Sequence, residues 1–404
     1  MRGRSVVNET SVTINLDNIA RNARAITEKY KEYDYFFVVL KSSAYGHGEY
    51  IVNELVNNNI NYIAVSYVDE ALKIRKYNSD VPVLILEPIS LSDIETAASR
   101  NFTVVVHDLD YLNELIATGV KSKLKIHIKI DSGMNRLGFK DKDEVKKAVE
   151  MIKQTENLYL EGIFTHFATI GMFDKNFDNQ VESFKEITSL IDLKEIPIVH
   201  LGSSVILLSH PKFEFANGVR TGILSYGYNV APNYCNGGLK DKLRNLRNSY
   251  YQKKYNLSKL IYDAEIDVKP AMSMTTSILQ IKEVKKGECV GYGATYTAEE
   301  DIKIAVLPIG YNNGIGRRNA GRYVVINGKK YFAVGEIAMN MMVIRVDDDV
   351  KLSDTVYILG GGITLGVLSR FEGNSISKTL LDVGKNNRRV YTKNNQTVFE
   401  EETR

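Results

Sequence analysis

The chain has 404 residues, with 52 Lys and Arg against 49 Asp and Glu and a formal net charge of +3. Hydrophobic residues make up 44% of the sequence, which is enough for a core and excludes an intrinsically disordered protein. The nearly balanced charge gives no sign of the clustered basic face that nucleic-acid binding requires. The two cysteines, Cys235 and Cys289, exclude a disulfide scaffold and favour a reducing compartment.

The N-terminal residues, 1–16, are polar and lack the apolar run of a secretory signal. No stretch reaches the about 18 consecutive apolar residues that a membrane helix needs. We therefore expect a cytoplasmic protein that neither enters a membrane nor binds nucleic acid.

Short apolar runs rich in β-branched residues recur through the first two-thirds of the chain. We predict eight strands, at 36–40, 62–66, 83–87, 103–107, 124–130, 158–165, 197–201 and 222–227. Segments with helical spacing separate most of them, and another at 16–30 precedes the first. This alternation indicates a parallel sheet with helices on its outer face. Eight units favour a closed (β/α)8 barrel over an open doubly wound sheet, which seldom carries eight parallel strands in order.

The pattern changes at about residue 263. Strands without intervening helices are predicted at 275–284, 302–307, 323–326, 331–334, 342–346 and 355–359, joined by turn signals such as Asn327-Gly328. They predict a mainly antiparallel β domain at 263–404. The preceding stretch, 231–262, is rich in Lys, Asn and Tyr, and we interpret it as a partly helical connector that belongs to the barrel domain, 15–262.

Polar side chains fall at the ends of the predicted barrel strands. In barrels of this type, the carboxyl ends of the strands meet at one mouth, where the active site lies. We therefore expect one mouth to gather residues from five strands or the loops that follow them: Lys41, Lys129, Arg136, His166, Ser204, Arg220 and Gly222.

These residue types favour one cofactor. Small-residue loops after the last two strands are a common phosphate site, because backbone N–H groups can approach an anion closely. A lysine among other cations at a strand end is nucleophilic and can form a Schiff base with an aldehyde. Together they suggest pyridoxal phosphate. Taken singly, a strand-end lysine is more often a surface charge and His166 more often structural. The six histidines are scattered, so we expect no metal site.

Several segments resemble motifs of the alanine racemase family. Segment 39–48, VLKSSAYGHG, is similar to the motif that attaches pyridoxal phosphate, with Ser42-Ser43 in place of the usual Ala-Asn. Further similar segments are KIDSGMNRLG at 129–138, THFA at 165–168, VRTGI at 219–223, GYGATYTA at 291–298 and LPIGY at 307–311. The matches run in unbroken order from about residue 15 to about residue 346.

The resemblance implies the barrel, a β domain that also takes in residues 1–14 with a strand at about 11–16, and a head-to-tail homodimer with shared active sites. It implies that Lys41 attaches pyridoxal phosphate and is one catalytic base, and that Tyr292 of the partner subunit is the opposing base. Arg220 would face the pyridine nitrogen. The other implied cofactor contacts are Tyr45, Arg136, His166, Ser204, Gly222 and Ile223.

For the substrate, the resemblance implies contacts with Arg136, Tyr311 and Met339. It also places Lys129 at a position that is carbamylated in many members of the family. The implied activity is that of an isomerase, a pyridoxal-phosphate-dependent racemase that interconverts L- and D-alanine and supplies D-alanine for peptidoglycan.

Three positions depart from the family pattern. Ser203 stands where Asn is usual, Asn340 where Asp is usual, and Ser375 falls near the place of a tyrosine that contacts the phosphate. Because these departures touch the substrate entrance and the phosphate end, a racemase of serine or a larger amino acid is the alternative within the class. A decarboxylase built on the same barrel and a non-catalytic pyridoxal-phosphate carrier are less favoured, because the chain has the Tyr292 motif and a second domain.

Overall fold

The computed structural model describes residues 10–169, 175–229, 266–319 and 321–402, with five single positions between 243 and 253. Within these residues, no helix combines the length and apolar character needed to cross a membrane. The predicted connector, apart from those single positions, the predicted boundary at 262/263 and Cys235 all lie outside the described residues.

The chain forms two compact units. The barrel unit comprises Ile19–Lys41 and Val52–Lys269, and the β unit comprises the described residues of Met1–Asn18, Ser42–Ile51 and Pro270–Arg404. The chain begins with strand β1 (Ser11–Asn15) and helix α1 (Leu16–Lys29). The segment 42–51, which directly follows Lys41, thus belongs to the β unit.

Eight parallel strands close into a barrel, which confirms the predicted fold class. They are β2 (Tyr35–Val39), β3 (Tyr62–Val65), β4 (Val83–Ile85), β5 (Phe102–Val106), β6 (Leu124–Ile130), β7 (Leu158–Thr165), β8 (Ile198–His200) and β9 (Gly218–Thr221). The helices among them are α2 (Val52–Val56), α3 (Val68–Arg75), α4 (Ile94–Ser99), α5 (Leu109–Ala117), α6 (Lys142–Gln154), α7 (Lys175–Ile187) and α8 (Ser204–Ser209).

Helix α6 shows how the sequence specifies the outer layer. The Asp141 side chain caps it by accepting the N–H groups of Asp143 and Glu144 at 2.8 and 3.0 Å. Its apolar residues recur at helical spacing and are buried: Val145, Ala148, Val149 and Ile152. Inside the barrel, the strands contribute one packed cluster, which consists of Phe37, Tyr62, Ala64, Leu84, Val105, Phe164 and Ile198. Because the interior is filled, a ligand site has to lie at a mouth.

The last barrel strand differs from the prediction. It was predicted at 222–227, but the strand is Gly218–Thr221, which pairs in parallel with β2. Residues 222–227 form tight turns instead, and the N–H of Ser225 donates to the carbonyl of Gly222 at 2.9 Å. Apolar side chains are buried in these turns, so the run has the composition of a buried strand without its backbone.

The strands of the β unit after β1 are β10 (Met272–Thr276), β11 (Gln280–Val284), β12 (Cys289–Val290), β13 (Tyr296–Thr297), β14 (Ile302–Leu307), β15 (Tyr323–Ile326), β16 (Lys329–Phe332), β17 (Met342–Val346), β18 (Val356–Leu359), β19 (Arg388–Lys393) and β20 (Gln396–Glu401). They form a seven-stranded sheet of order β16-β15-β18-β10-β1-β19-β20, a three-stranded sheet β11-β14-β17 and a pair β12-β13. The predicted strand 275–284 was wrong, since it is two strands in different sheets.

Two helices follow β18 in the β unit, α9 (Leu365–Glu372) and α10 (Ile376–Lys385). Gly384 of α10 lies against Gly46, and a Cβ at position 384 would come within 2.1 Å of the Gly46 carbonyl oxygen. Gly366 of α9 has nothing closer to such a Cβ than a side-chain oxygen at 3.9 Å. Close packing against Gly46 therefore requires glycine at position 384, whereas no such contact requires it at position 366.

We predict that Gly384→Ala destabilises the protein and Gly366→Ala does not. The first should lower the free energy of unfolding by about 1–3 kcal/mol, because backbone has to move to make room. The second should raise it by up to about 1 kcal/mol, since alanine has the higher helix propensity. Chemical denaturation measures both, and equal effects of the two substitutions would contradict this interpretation.

Candidate active site

The predicted cationic residues of the barrel meet at one mouth. Because the strands are parallel, residues that follow their carboxyl ends share one end of the barrel. Lys41 lies two residues beyond β2, His166 directly follows β7, and Ser204 opens α8 after β8. Burial, joined by four positive charges, lowers the pKa of His166 to about 3. Those charges are on Arg220, Arg136, Lys129 and Lys41. His166 is therefore neutral at physiological pH.

Arg220 is buried without a carboxylate partner among the described residues. Its guanidinium donates to the carbonyl oxygens of His200 and Thr165 at 2.9 and 2.6 Å and to Nδ1 of His200 at 2.7 Å. It lies 5.0 Å from the centroid of the Phe164 ring. Burial lowers the pKa of Arg220 to about 9, so the group is still charged at neutral pH. These contacts stabilise one fixed orientation of a cation in the barrel interior.

Arg220 is one end of a buried relay of hydrogen bonds. A guanidinium can only donate, so Nδ1 of His200 accepts and Nε2 of neutral His200 carries the proton. That proton faces Nδ1 of His127 at 2.8 Å, and Nε2 of His127 in turn faces Glu161 at 3.2 Å. The tautomers of His200 and His127 are therefore both set by Arg220, which can only donate. The His200 ring is stacked between Phe37 and Phe164, at 4.5 and 4.7 Å between centroids.

The other end of the relay is the carboxylate of Glu161. It accepts hydrogen bonds from Tyr62 and Thr103 at 2.6 and 3.1 Å and lies 3.1 Å from Nζ of Lys125. Burial by itself would raise the pKa of Glu161, but the hydrogen bonds from His127 and Tyr62 and the charge of Lys125 hold it at about 2. Burial lowers the pKa of both relay histidines, which are neutral.

Sequence reasoning missed the three relay residues, Glu161, His127 and His200. A signal was present, since each is a polar residue inside a strand run rich in apolar residues: LKIHIKI in β6, LYLEGIFT in β7 and IVH in β8. A polar side chain that faces a barrel interior needs a partner there.

Lys129 and Arg136 are organised by the loop after β6. The carboxylate of Asp131 accepts the backbone N–H groups of Gly133, Asn135 and Arg136 at 2.9–3.1 Å, which fixes the turn that carries Arg136. Lys129 is buried. Burial lowers the pKa of Lys129 to about 8. The charges of Arg136 and Arg220 also lower this pKa, whereas nearby carboxylates oppose the shift. Near pH 7 Lys129 is therefore mainly charged, with a minor fraction of its amine neutral.

The loops after β8 and β9 are joined through Ser204. Its hydroxyl oxygen accepts the N–H groups of Gly222 and Leu224 at 2.9 and 3.4 Å. With both lone pairs used, the hydroxyl proton can be donated to a further acceptor. The predicted phosphate residues Ser204, Gly222 and Ile223 are thus neighbours in the barrel unit.

The remaining predicted residues lie in the β unit. Tyr45 is in a turn after Lys41, and burial raises its pKa. Tyr311 and Met339 lie on adjacent loops, where the N–H of Tyr311 donates to Ala338 at 3.1 Å. Tyr292 is 70% exposed and Met339 54% exposed. A hydrogen bond from the N–H of Lys378 shows that Ser375 caps helix α10.

Comparison with known proteins identifies the family. The family model of the alanine racemase N-terminal domain matches residues 14–230, and that of the C-terminal domain matches residues 271–391. Alanine racemase 2 of Caldanaerobacter subterraneus subsp. tengcongensis is 34% identical over 363 residues, 88% of this chain and 86% of that protein. The chain belongs to the alanine racemase family. It is an amino-acid racemase, and hence an isomerase.

Solved structures share the whole architecture of this racemase. The alanine racemase of Clostridium difficile 630 is similar with a TM-score of 0.86 and 27% identity, over 99% of this chain and 100% of that one. A histidine racemase from Leuconostoc mesenteroides subsp. sake has a TM-score of 0.80 at 22% identity, over 96% and 99%. The second likeness concerns the fold alone.

We predict that Glu161→Gln destabilises this racemase strongly, by about 3 kcal/mol or more. The amide group would face donors, and Lys125 would lose the opposite charge. The matched control is Glu195→Gln, which removes an exposed ion pair with Lys153 at 2.9 Å and should cost less than about 1 kcal/mol. Urea denaturation at pH 7 measures both. Similar losses of unfolding free energy in the two variants would mean that the buried relay contributes no more to stability than an exposed ion pair.

Proposed function

We propose that this racemase uses pyridoxal phosphate and interconverts L- and D-alanine. The observation that carries the proposal is the set of positive charges around neutral His166 at the barrel mouth: Lys41, Lys129, Arg136 and Arg220. Like charges brought together out of water repel one another, and an anionic ligand relieves that repulsion. The donor set therefore fits a cofactor that carries a phosphate.

The residues of the mouth would form two groups, one at each end of such a cofactor. Ser204 has a hydroxyl proton to donate, and it lies beside the backbone of Gly222 and Ile223, which suits the phosphate; Tyr45 would add a phenol. At the other end, Arg220 would face the pyridine nitrogen with Arg136 nearby. Lys41 would attach the cofactor through its amine. When bound, pyridoxal phosphate withdraws electrons from an attached amino acid and makes its Cα proton acidic.

Racemisation requires two proton-transfer groups on opposite faces of Cα. We propose Lys41 for one face and Tyr292 of the partner subunit for the other, in a homodimer with shared sites. The exposure of Tyr292 and Met339 on the surface of one chain supports this, because both would be available to a second copy. Tyr311 and Met339 would then lie near the substrate carboxylate, together with Arg136.

Arg220 also bears on which reaction follows proton removal. Because Arg220 stays charged at neutral pH, it would donate a hydrogen bond to the pyridine nitrogen without giving up the proton. Arg220 would thereby leave the pyridine nitrogen unprotonated, which would favour return of the proton to Cα over side reactions such as transamination. We propose that Lys129, whose amine is partly neutral, is carbamylated and contacts Arg136.

We further propose that the product D-alanine serves peptidoglycan synthesis in the cytoplasm. The changes at Ser203 and Asn340 support a racemase of serine or a larger amino acid as the second candidate. A panel of L-amino acids followed by chiral product analysis separates the two. Fastest conversion of alanine supports the proposal, and fastest conversion of serine or a larger substrate contradicts the choice of alanine.

We predict that neither Lys41→Ala nor Tyr292→Phe protein racemises L-alanine at more than about 1% of the wild-type rate, since each lacks one proton-transfer group. Only Lys41→Ala should also lose the visible absorption of the attached cofactor. When the two inactive proteins are mixed and allowed to exchange subunits, activity should return, because a mixed dimer contains one intact site.

The matched control mixes Lys41→Ala subunits with a double variant that carries both substitutions, which can form no intact site. Recovery in that control, or no recovery in the first mixture despite subunit exchange, would argue against shared sites. Retention of the absorption band by Lys41→Ala would assign the attachment to another residue.

A further inference from the structure

The residues directly after Lys41 have an unusual backbone. Ser42, Ser43, Ala44 and Tyr45 have φ values of 55°, 55°, 52° and 53°, so four successive non-glycine residues are in the left-handed region. Residues with a Cβ disfavour this conformation and adopt it singly as a rule. The left-handed turn 42–45 therefore depends on the surrounding structure to hold it.

Arg389 of β19 provides much of that support within the β unit. Its side chain is buried, and Nη1 donates to Oγ of Ser43 at 3.2 Å and lies 3.4 Å from the Gly46 carbonyl oxygen. The Ser43 hydroxyl donates onward to buried Glu49 at 3.1 Å. His47, whose pKa is lowered by burial to about 3, is neutral, and its Nδ1 contacts the Ala44 carbonyl at 3.0 Å.

The guanidinium of Arg389 is itself fixed by Glu401, the last residue of β20. Nε and Nη2 donate to Oε2 of Glu401 at 3.0 and 2.8 Å, and the Tyr391 hydroxyl donates to the same oxygen at 3.0 Å. Charge-assisted bonds of this kind, from a rigid fork to one carboxylate, set the direction of the remaining N–H groups. A second contact joins the same strand to the segment after the turn, because Phe399 stacks on Tyr50 at 4.4 Å between ring centroids.

The adjacent residue, Glu400, makes a different contact. It pairs with Arg388 at 3.2 Å, and both side chains are at least one-third exposed. Successive residues of one strand point to opposite faces of the sheet. Glu400 and Glu401 therefore carry the same charge but lie on different faces. Strands β19 and β20 pair to form the C-terminal hairpin, so the support of the turn comes from this hairpin.

We propose that Glu401 is a positioning residue, which holds Arg389 so that the C-terminal hairpin clamps the left-handed turn 42–45. The role rests on the proposed function, in which Lys41 precedes this turn and attaches the cofactor, and Tyr45 within it binds the phosphate. The clamp fixes the backbone that carries both side chains before the cofactor arrives. Without Glu401, the Arg389 side chain would be a buried cation that turns toward water, and Ser43 and Gly46 would lose a donor.

Two alanine variants of the full-length chain test the proposal, Glu401→Ala and Glu400→Ala. Hydrogen exchange of the cofactor-free protein, followed by mass spectrometry, measures the protection of segment 42–51, and titration with pyridoxal phosphate measures its dissociation constant. We expect Glu401→Ala to speed exchange in 42–51 and to raise the dissociation constant about tenfold, the effect of losing one charge-assisted bond. Exchange in β14 should match the wild type. Glu400→Ala should change neither quantity.

Unchanged exchange in 42–51 for Glu401→Ala, or equal effects of the two variants, would overturn the clamp. If Glu401→Ala speeds exchange throughout the β unit, Glu401→Gln, which preserves the side-chain shape, must give an increase confined to 42–51. If Glu401→Gln also speeds exchange throughout the β unit, Glu401 has a general structural role instead. The exchange result does not depend on the cofactor, so a Lys41→Ala protein that keeps the absorption band would overturn the proposed role of Lys41 and leave this test intact.

Discussion

The buried charge of Arg220 is the constraint on which the barrel unit depends. A guanidinium inside a core of aromatic and aliphatic side chains has to be stabilised by many acceptors, and here they are two carbonyl oxygens and the ring of His200. Because the guanidinium can only donate, the tautomer of His200 is fixed, then that of His127, and the relay ends at Glu161. One charge thereby orders polar groups on β6, β7, β8 and β9.

The same charge shapes the mouth of the barrel. It contributes to the low pKa values of His166 and Lys129, so the site presents a neutral imidazole and a partly neutral amine among fixed cations. This arrangement favours an anionic ligand and disfavours proton donation from Arg220. The proposed reaction needs that combination, because the proposed cofactor would have to be anchored firmly while the reaction is limited to moving one proton at Cα.

Sequence reasoning predicted the barrel and the mouth because both depend on local patterns. Apolar strand runs and the residues after them, such as Lys41 and His166, can be read in order along the chain. The relay could not be predicted from spacing alone, since Glu161, His127 and His200 come from three strands and meet only after the barrel closes. The last barrel strand was misplaced because buried turns at 222–227 have the composition of a strand.

The clamp on the left-handed turn escaped prediction for a similar reason. It joins residues near position 43 to residues near position 401, and no local pattern announces four successive residues with positive φ. Glycines can be expected in that region, and Gly46 and Gly48 flank the turn, but Ser42 to Tyr45 are held there by tertiary contacts. The alanine racemase motif identified Lys41 without revealing the backbone that follows it.

The fate of the Cα hydrogen distinguishes proton transfer by two groups from proton transfer by one. The holoenzyme would be given L-alanine in D2O and stopped at low conversion, and both enantiomers would be separated and examined by mass spectrometry. Two groups on opposite faces predict D-alanine that carries deuterium at Cα, beside unreacted L-alanine that does not. D-alanine that retains the substrate's own hydrogen would show that one group both removes and returns it, and would contradict the account.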